Sequence, residues 1–257
     1  MITIITPTYN AKEYINAQRI RLGPLLKEHN IKWIIIDDAS TDNTDILIEK
    51  INDSNIIYHK LITNSGPSAA RYIGATLAET EFIFFLDADD ILYNNDFIDF
   101  MPILEKNKIH DYVYTTVDIT SKKNRLFSRE QNNKDYYIIK KPIDFIKYGM
   151  PSYSSLFVKK DFFLKRVKSN NLPWGEDILS YLIIAQYGNG IKYKKTISCY
   201  IIHGDGRGSN LSLKNRITLF NSLLKETLIG PKKSSSLLFT LYLIIRYTAS
   251  YAYKSIR

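Results

Sequence analysis

The chain has 257 residues, 45% of them apolar and 24% charged, enough to bury a large core and ordinary for a globular protein; a low-complexity or disordered chain is excluded. Its one cysteine, Cys199, rules out an internal disulfide, and its place in the apolar run 197–202 marks a buried, inert thiol rather than a nucleophile. The net charge of +9 divides into −6 over residues 1–110 and +15 over residues 111–257, so the front half suits cations and the back half anions or an anionic surface.

The start is apolar at once, with no basic stretch ahead of an apolar core, so no signal peptide is expected. No run reaches the ~18 uninterrupted apolar residues of a membrane span. Residues 2–6 predict a strand ending in the turn Pro7-Thr8-Tyr9-Asn10, and residues 11–29 a helix that Gly23-Pro24 can break. A second strand, 32–36, ends at Asp37-Asp38, and hydroxyl and carboxyl groups between Ser40 and Thr44 supply caps for a helix through Ile51. Residues 55–60 predict a third strand, Asn64-Ser65-Gly66-Pro67 a turn, 68–78 a helix and 81–86 a fourth strand. Strands separated by helices imply a mainly parallel sheet with covered faces, and ligands of such sheets bind beyond the carboxyl ends of the strands. The polar clusters at 7–10, 37–38 and 87–90 all fall there, which argues for one site. Beyond residue 100 the pattern loosens. Strands are expected at 112–117, 136–139, 156–158 and 192–202, a helix at 176–187, a Gly-rich loop at 204–209 and a basic, aromatic helical end over 213–257.

Three carboxylates, Asp87, Asp89 and Asp90, follow directly on the apolar run 82–86 and repel one another unless a cation relieves them. Oxygen ligands select a hard ion, Mg²⁺ or Mn²⁺, which keeps waters and completes its shell with substrate phosphates. Alone, the short pattern Asp87-Ala88-Asp89 favours a plain solvated turn that caps the next helix. Its company includes Asp38, able to accept from the N–H groups of a nucleobase, Tyr9, able to pack on the ring, and Arg71, able to reach base or phosphate. Singly, each has a bland alternative: helix start, packing, surface ion pair.

Pro7-Thr-Tyr-Asn10, Asp37-Asp-Ala-Ser-Thr-Asp-Asn-Thr44, Asn64-Ser-Gly-Pro-Ser-Ala-Ala-Arg71 and Phe85-Leu-Asp-Ala-Asp-Asp90, in that order, resemble the family 2 glycosyltransferases that build bacterial cell-surface polysaccharide. The resemblance implies the α/β GT-A fold, a central mainly parallel sheet flanked by helices, here with a C-terminal helical extension. It also implies inversion at the anomeric carbon, a Mn²⁺ or Mg²⁺ ion, a nucleoside-diphosphate sugar donor (most often UDP-linked), and an acceptor hydroxyl on a glycan or lipid-linked glycan. Residue by residue, it implies that Pro7, Thr8 and Tyr9 line the nucleoside pocket, that Asp38 reads the base and that Arg71 lies beside base or diphosphate. Asp87, with Ala88, would meet the ribose or a metal-bound water, Asp89 would ligate the metal, and Asp90 would orient the loop.

Pro173-Trp-Gly-Glu-Asp177 is similar to the family's segment in which an acidic pair opens a helix beneath the acceptor. That similarity makes Asp177 the base, Glu176 a residue that positions acceptor or loop, and Trp174 a platform for the acceptor sugar. The alternatives are two acids at a helix N-terminus and a core anchor. His203, in the loop after the last strand, corresponds to a family position that can complete the metal shell; Asp205 and Arg207 have no such equivalent. The expected division is a GT-A domain over 1–210, with a nucleotide-sugar half at 1–110 and an acceptor half at 111–210, followed by the extension 211–257. That extension suits peripheral contact with the inner face of the cytoplasmic membrane, or packing on the catalytic domain or a second protomer. Three rivals fit less well. A sugar nucleotidyltransferase would open with a Gly-rich phosphate loop. A nucleic-acid module would interleave aromatic and basic residues. A nucleotide-sugar-binding protein without activity is argued against by the intact acids at 87–90 and 176–177.

Overall fold

A computed structural model of the protein describes residues 2–51, 53–121, 124–126, 135–170, 172–202 and 212–255. The front half is an alternation of β1 (Ile2–Thr8), α1 (Lys12–His29), β2 (Lys32–Asp37), α2 (Thr44–Glu49), β3 (Ile56–Lys60), α3 (Pro67–Leu77) and β4 (Phe82–Phe85). β3, β2, β1 and β4 lie side by side in that order, all parallel, with Ile4 opposite both Trp33 and Phe84. Their apolar side chains divide by the period of two. Ile5, Ile34, Ile36, Ile83 and Phe85 enter one core; Ile4, Trp33, Ile35, Phe82 and Phe84 enter the other. Helix α3 lies so close to the first face that a Cβ on Gly74 would meet Ile5 Cγ2 at 2.4 Å.

The back half adds β5 (Ile91–Leu92), α4 (Asn94–Lys106), β6 (Tyr112–Ser121), β7 (Asn124–Leu126), β8 (Tyr136–Ile139), α5 (Asp144–Tyr148), a 3₁₀ turn at Tyr153–Ser155, β9 (Leu156–Lys159), α6 (Lys160–Arg166), α7 (Glu176–Tyr187), β10 (Gly190–Ile202), α8 (Leu213–Ile229) and α9 (Lys233–Ser255). β9 runs antiparallel between β4 and β6, joining the halves into one sheet. β10 is parallel to β6, whereas β5 and β8 run antiparallel to β10. The sheet is thus parallel across its front half and mixed beyond β4. Cys199 is buried, as its apolar surroundings predict.

Two local expectations shift. Gly23-Pro24 does not break α1, which runs unbroken through Pro24; the missing proline N–H leaves the Ile20 carbonyl without its usual helical donor, on a turn whose Ile20 side chain is exposed. Before α2 the hydroxyls do not cap. Instead the Asp42 carboxylate accepts from Thr44 N at 3.2 Å, with Asn43 in the left-handed region at φ 62°. The helical end is two helices, divided at Gly230-Pro231. Phe239 and Leu243 of α9 and Leu219 and Leu223 of α8 join the core that covers Ile5 and Ile34. Lys232 Nζ donates to the carbonyls of Ala185 and Gly188 at 2.9 and 2.8 Å, capping the end of α7.

Candidate active site

A cleft of about 1100 Å³ opens over the carboxyl ends of β1, β2 and β4 and is closed on its far side by the start of α7 and the end of β10. Its floor begins where β1 stops. Asn10 adopts a left-handed φ of 49°, and its backbone N–H donates to Ser40 Oγ while its side-chain oxygen accepts from Thr41 N, both at 2.8 Å. Lys12 N donates to Asp42 at 2.9 Å. The loops after β1 and β2 are therefore laced into one wall, on which Thr8 is buried and Tyr9 stands half out in solvent. Thr8 Oγ1 finds no hydrogen-bond partner among the described residues.

Asp37 and Asp38 do different work. Asp37 is fully buried and accepts from Ser40 N and the Tyr58 hydroxyl. Asp38 lines the cleft and accepts from Ser65 N at 2.7 Å and Gly66 N at 2.8 Å, one on each carboxylate oxygen. It thus holds the turn before α3, where Gly66 needs its positive φ of 84°. Each oxygen keeps a lone pair for a ligand N–H.

The chain leaves β4 into Asp87-Ala88-Asp89-Asp90. Asp87, Ala88 and Asp89 are half-buried and line the cleft, while Asp90 turns inward and is 2% exposed. Asp90 accepts from the Ser154 hydroxyl and from Ile201 N (3.2 Å), and Gln18 Nε2 donates to its carbonyl at 2.6 Å. Burial, with Asp87 beside it, pushes its carboxyl up to about 8. Asp90 thus ties the loop to β10 and the 3₁₀ turn.

Arg71, on α3, is 4% exposed and forms the centre of the site. It donates to Asp87 at 2.7 Å and to Glu176 at 3.5 Å, and its guanidinium lies 3.9 Å from the centre of the Tyr153 ring. Burial opposes its charge, but Asp87, Tyr153 and Glu176 more than offset that and keep it a firm cation. Its Nε has no partner among the described residues. Across the cleft, Glu176 and Asp177 open α7 after Gly175, whose φ of 76° turns the chain into the helix. Burial, then Glu176 next to it, raises the Asp177 carboxyl to about 6. Trp174 lines the cleft and also packs edge-to-face on Tyr247 of α9, ring centres 5.1 Å apart, so it is wall and anchor together.

Pro7, Thr8, Tyr9, Asp38, Arg71, Asp87, Ala88, Asp89, Trp174, Glu176 and Asp177 all line this one cleft. His203, with Asp205 and Arg207, lies outside the described residues. Tyr153, Ser154, Tyr181 and Tyr200 also line it, and no motif marked them. Burial, and then Asp90, Asp87, Asp89 and Asp177, push the Tyr200 phenol up, so it faces acids from both the β4 loop and the start of α7. The signal that could have found Tyr153 and Ser154 is the small polar run from Ser152 to Ser155 just ahead of β9.

Among the described residues no group of three or more His, Cys, Asp or Glu side chains forms a ready cation cage. The donor set at Asp87 and Asp89 is oxygen alone, and it fits a hard ion held chiefly by water and substrate phosphates.

A mixed α/β sheet flanked by helices, with a cleft over its strand ends, a carboxylate loop on one side and an acidic pair opening a helix on the other, is the architecture of the GT-A fold. The TarS 1–349 structure from S. aureus in complex with UDP-GlcNAc superposes with a TM-score of 0.72 at 19% identity, over 91% of this chain and 69% of that one. Residues 3–166 match Glycosyl transferase family 2, and the chain belongs to that family. It is 28% identical to an uncharacterized glycosyltransferase of Haemophilus influenzae over 240 residues, covering 91% of this chain and 92% of the relative. It is 34% identical over 124 residues to WfgD of Escherichia coli, a UDP-Glc:alpha-D-GlcNAc-diphosphoundecaprenol beta-1,3-glucosyltransferase, covering 46% of each.

Proposed function

We propose that the protein moves a sugar, with inversion, from a UDP-linked donor to a hydroxyl of a glycan or lipid-linked glycan in the assembly of bacterial cell-surface polysaccharide, with Mn²⁺ or Mg²⁺ at the diphosphate. The observation that carries this reading is Arg71, which joins the Asp87 side of the cleft to the Glu176 side. A single pocket with a carboxylate loop at one wall and a raised carboxyl at the other suits direct displacement. WfgD uses a UDP-sugar and a diphosphoundecaprenol-linked acceptor, as its name states, and TarS holds UDP-GlcNAc in a structure of the same fold.

In this reading Thr8, Tyr9 and Asp38 hold the nucleoside, Asp89 would hold the cation with water and phosphate, and Asp87, paired with Arg71, would meet the ribose or a metal-bound water. His203, the residue that follows β10 in sequence, would add a ligand. A hard cation bound there supplies positive charge to the leaving diphosphate. Asp177 takes the proton from the acceptor hydroxyl as that oxygen bonds to the anomeric carbon and the bond to the diphosphate breaks. A base whose carboxyl sits at about 6 is ionised at neutral pH yet basic enough to help. Arg71 keeps Glu176 from adding its full repulsion to Asp177, and Trp174 lines the acceptor side.

The test is nucleotide release and transfer across a panel of nucleotide sugars with Mn²⁺, Mg²⁺ or EDTA. One UDP-sugar should turn over with metal and stop in EDTA; activity that survives EDTA removes the metal from the reading. Asp177→Asn should lower transfer by about 10²–10⁴-fold, the usual share of a general base, with donor affinity nearly intact. Normal turnover in that variant would move the base elsewhere.

A further inference from the structure

Helix α9 has two apolar faces, and the fold uses one. Ser236, Phe239, Thr240 and Leu243 are buried against the rest of the chain. Turned away from them, Leu237, Leu238, Leu241, Tyr242 and Ile245 are between 36% and 69% exposed. Their spacing places them in two neighbouring rows one helical turn per step. Four residues before Leu237 stands Lys233, and four after Tyr242 stands Arg246, both exposed. The stripe is therefore apolar along its length and cationic at both ends. Among residues 212–255 seven Lys and Arg face a single acid, Glu226.

That charge pattern selects the occupant. A second copy of the chain packed antiparallel on this stripe would set Lys233 against Arg246 of the other copy; packed parallel, it would set like residue on like. Either way cations meet with no acid at hand, and like charges in contact disfavour association. An anionic bilayer offers opposite charge to both ends and an apolar boundary to the middle, the arrangement of an interfacial helix. No helix among the described residues is long and apolar enough to cross a membrane, so the helix would lie on the surface rather than span it.

We propose that α9 docks on an anionic bilayer through the exposed stripe from Leu237 to Ile245, with Lys233 and Arg246 on the headgroups. The stripe is joined to the cleft by short contacts: Tyr247 of α9 packs on Trp174, and Leu219 of α8 lies beneath Gly175. Docking therefore brings the acceptor side of the cleft near the bilayer. The docking stands apart from the transferase reading; only the purpose given to it rests on that reading.

The full chain is sedimented with vesicles of phosphatidylglycerol and phosphatidylcholine, and with phosphatidylcholine alone, at low and high salt. Binding should be at least about tenfold stronger to the anionic vesicles and weaken with salt. Leu238→Glu with Ile245→Glu should abolish it. Ile109→Glu, at an apolar residue 86% exposed on another part of the surface, should leave it unchanged. Thermal unfolding and nucleotide release in solution should match the parent in both variants, which separates lost docking from lost folding. Failure to bind anionic vesicles, or equal binding to neutral ones, overturns the proposal. So does a dimer in sedimentation velocity that the double substitution splits. A parent that binds vesicles but releases no nucleotide would overturn the transferase reading and leave the docking in place.

Discussion

Arg71 holds together two acids 89 residues apart in the chain, Asp87 and Glu176, and this has consequences for pH. Asp177 is raised to about 6, so a base at that position gives a kcat/KM that climbs about tenfold per pH unit below 6 and levels above it. A pH–rate profile flat from 5 to 8 would contradict the role. Removing the cation with Arg71→Met leaves Asp87, Glu176 and Asp177 mutually repelling. The acid limb should then move to higher pH, and kcat/KM should fall by about 10²-fold from misplacement alone. A residue that only touched donor would raise the donor KM without moving the limb, so the profile distinguishes the two. The sign for stability is opposite. A carboxyl raised on folding favours the fold fully below its ordinary value and loses that contribution as pH rises through about 6, so the ionised, active form of Asp177 is the less stable one.

At the scale of elements, the site depends on how α7 begins. Gly175 has φ 76°, and a Cβ there would meet Leu219 Cδ2 at 2.7 Å. Gly175→Ala imposes about 1–2 kcal/mol of left-handed strain besides the clash, so thermal unfolding should drop by about 2–8 °C. Transfer should fall further than donor affinity, because Glu176 and Asp177 follow immediately. What could be read from sequence at this scale were the ends of β1, β2 and β4 and the start of α7, because short continuous apolar runs closed by polar turns announce themselves. Asp90 facing inward, and Tyr200 among the acids, could not be read. Both depend on β10 and the 3₁₀ turn at Tyr153–Ser155 arriving beside a loop distant in sequence, and no local pattern encodes that pairing. The same holds for α4 and β5, where Pro102 and a two-residue strand give weak local signals.

For the whole molecule, the uneven charge acquires a location. Asp38, Asp87, Asp89 and Asp90 of the acidic front half gather around one cleft, while the cationic excess continues into the α8–α9 hairpin. That hairpin is part of the core rather than an attachment to it. Ending the chain at residue 230 would remove Phe239 and Leu243 from the core and the Lys232 cap from α7. Losing large buried side chains costs about 2–5 kcal/mol each, so the shortened protein should melt at least about 10 °C lower or fail to stay soluble. A shortened chain with unchanged melting would show that the hairpin packs independently.

β9 carries a further consequence, one that concerns the order of synthesis. The free edge of β4 is a run of Phe82, Ile83, Phe84 and Phe85, and the strand that covers it is Leu156–Lys159. While the chain is being made, the loops after β1, β2 and β4 have all emerged long before that edge is paired. An uncovered apolar edge is a template for wrong pairing, and such long-range closure is slow. The nascent protein therefore passes through a stage in which its front half is present with an unpaired, apolar sheet edge. Residues 1–110 released on their own should aggregate rather than bind nucleotide.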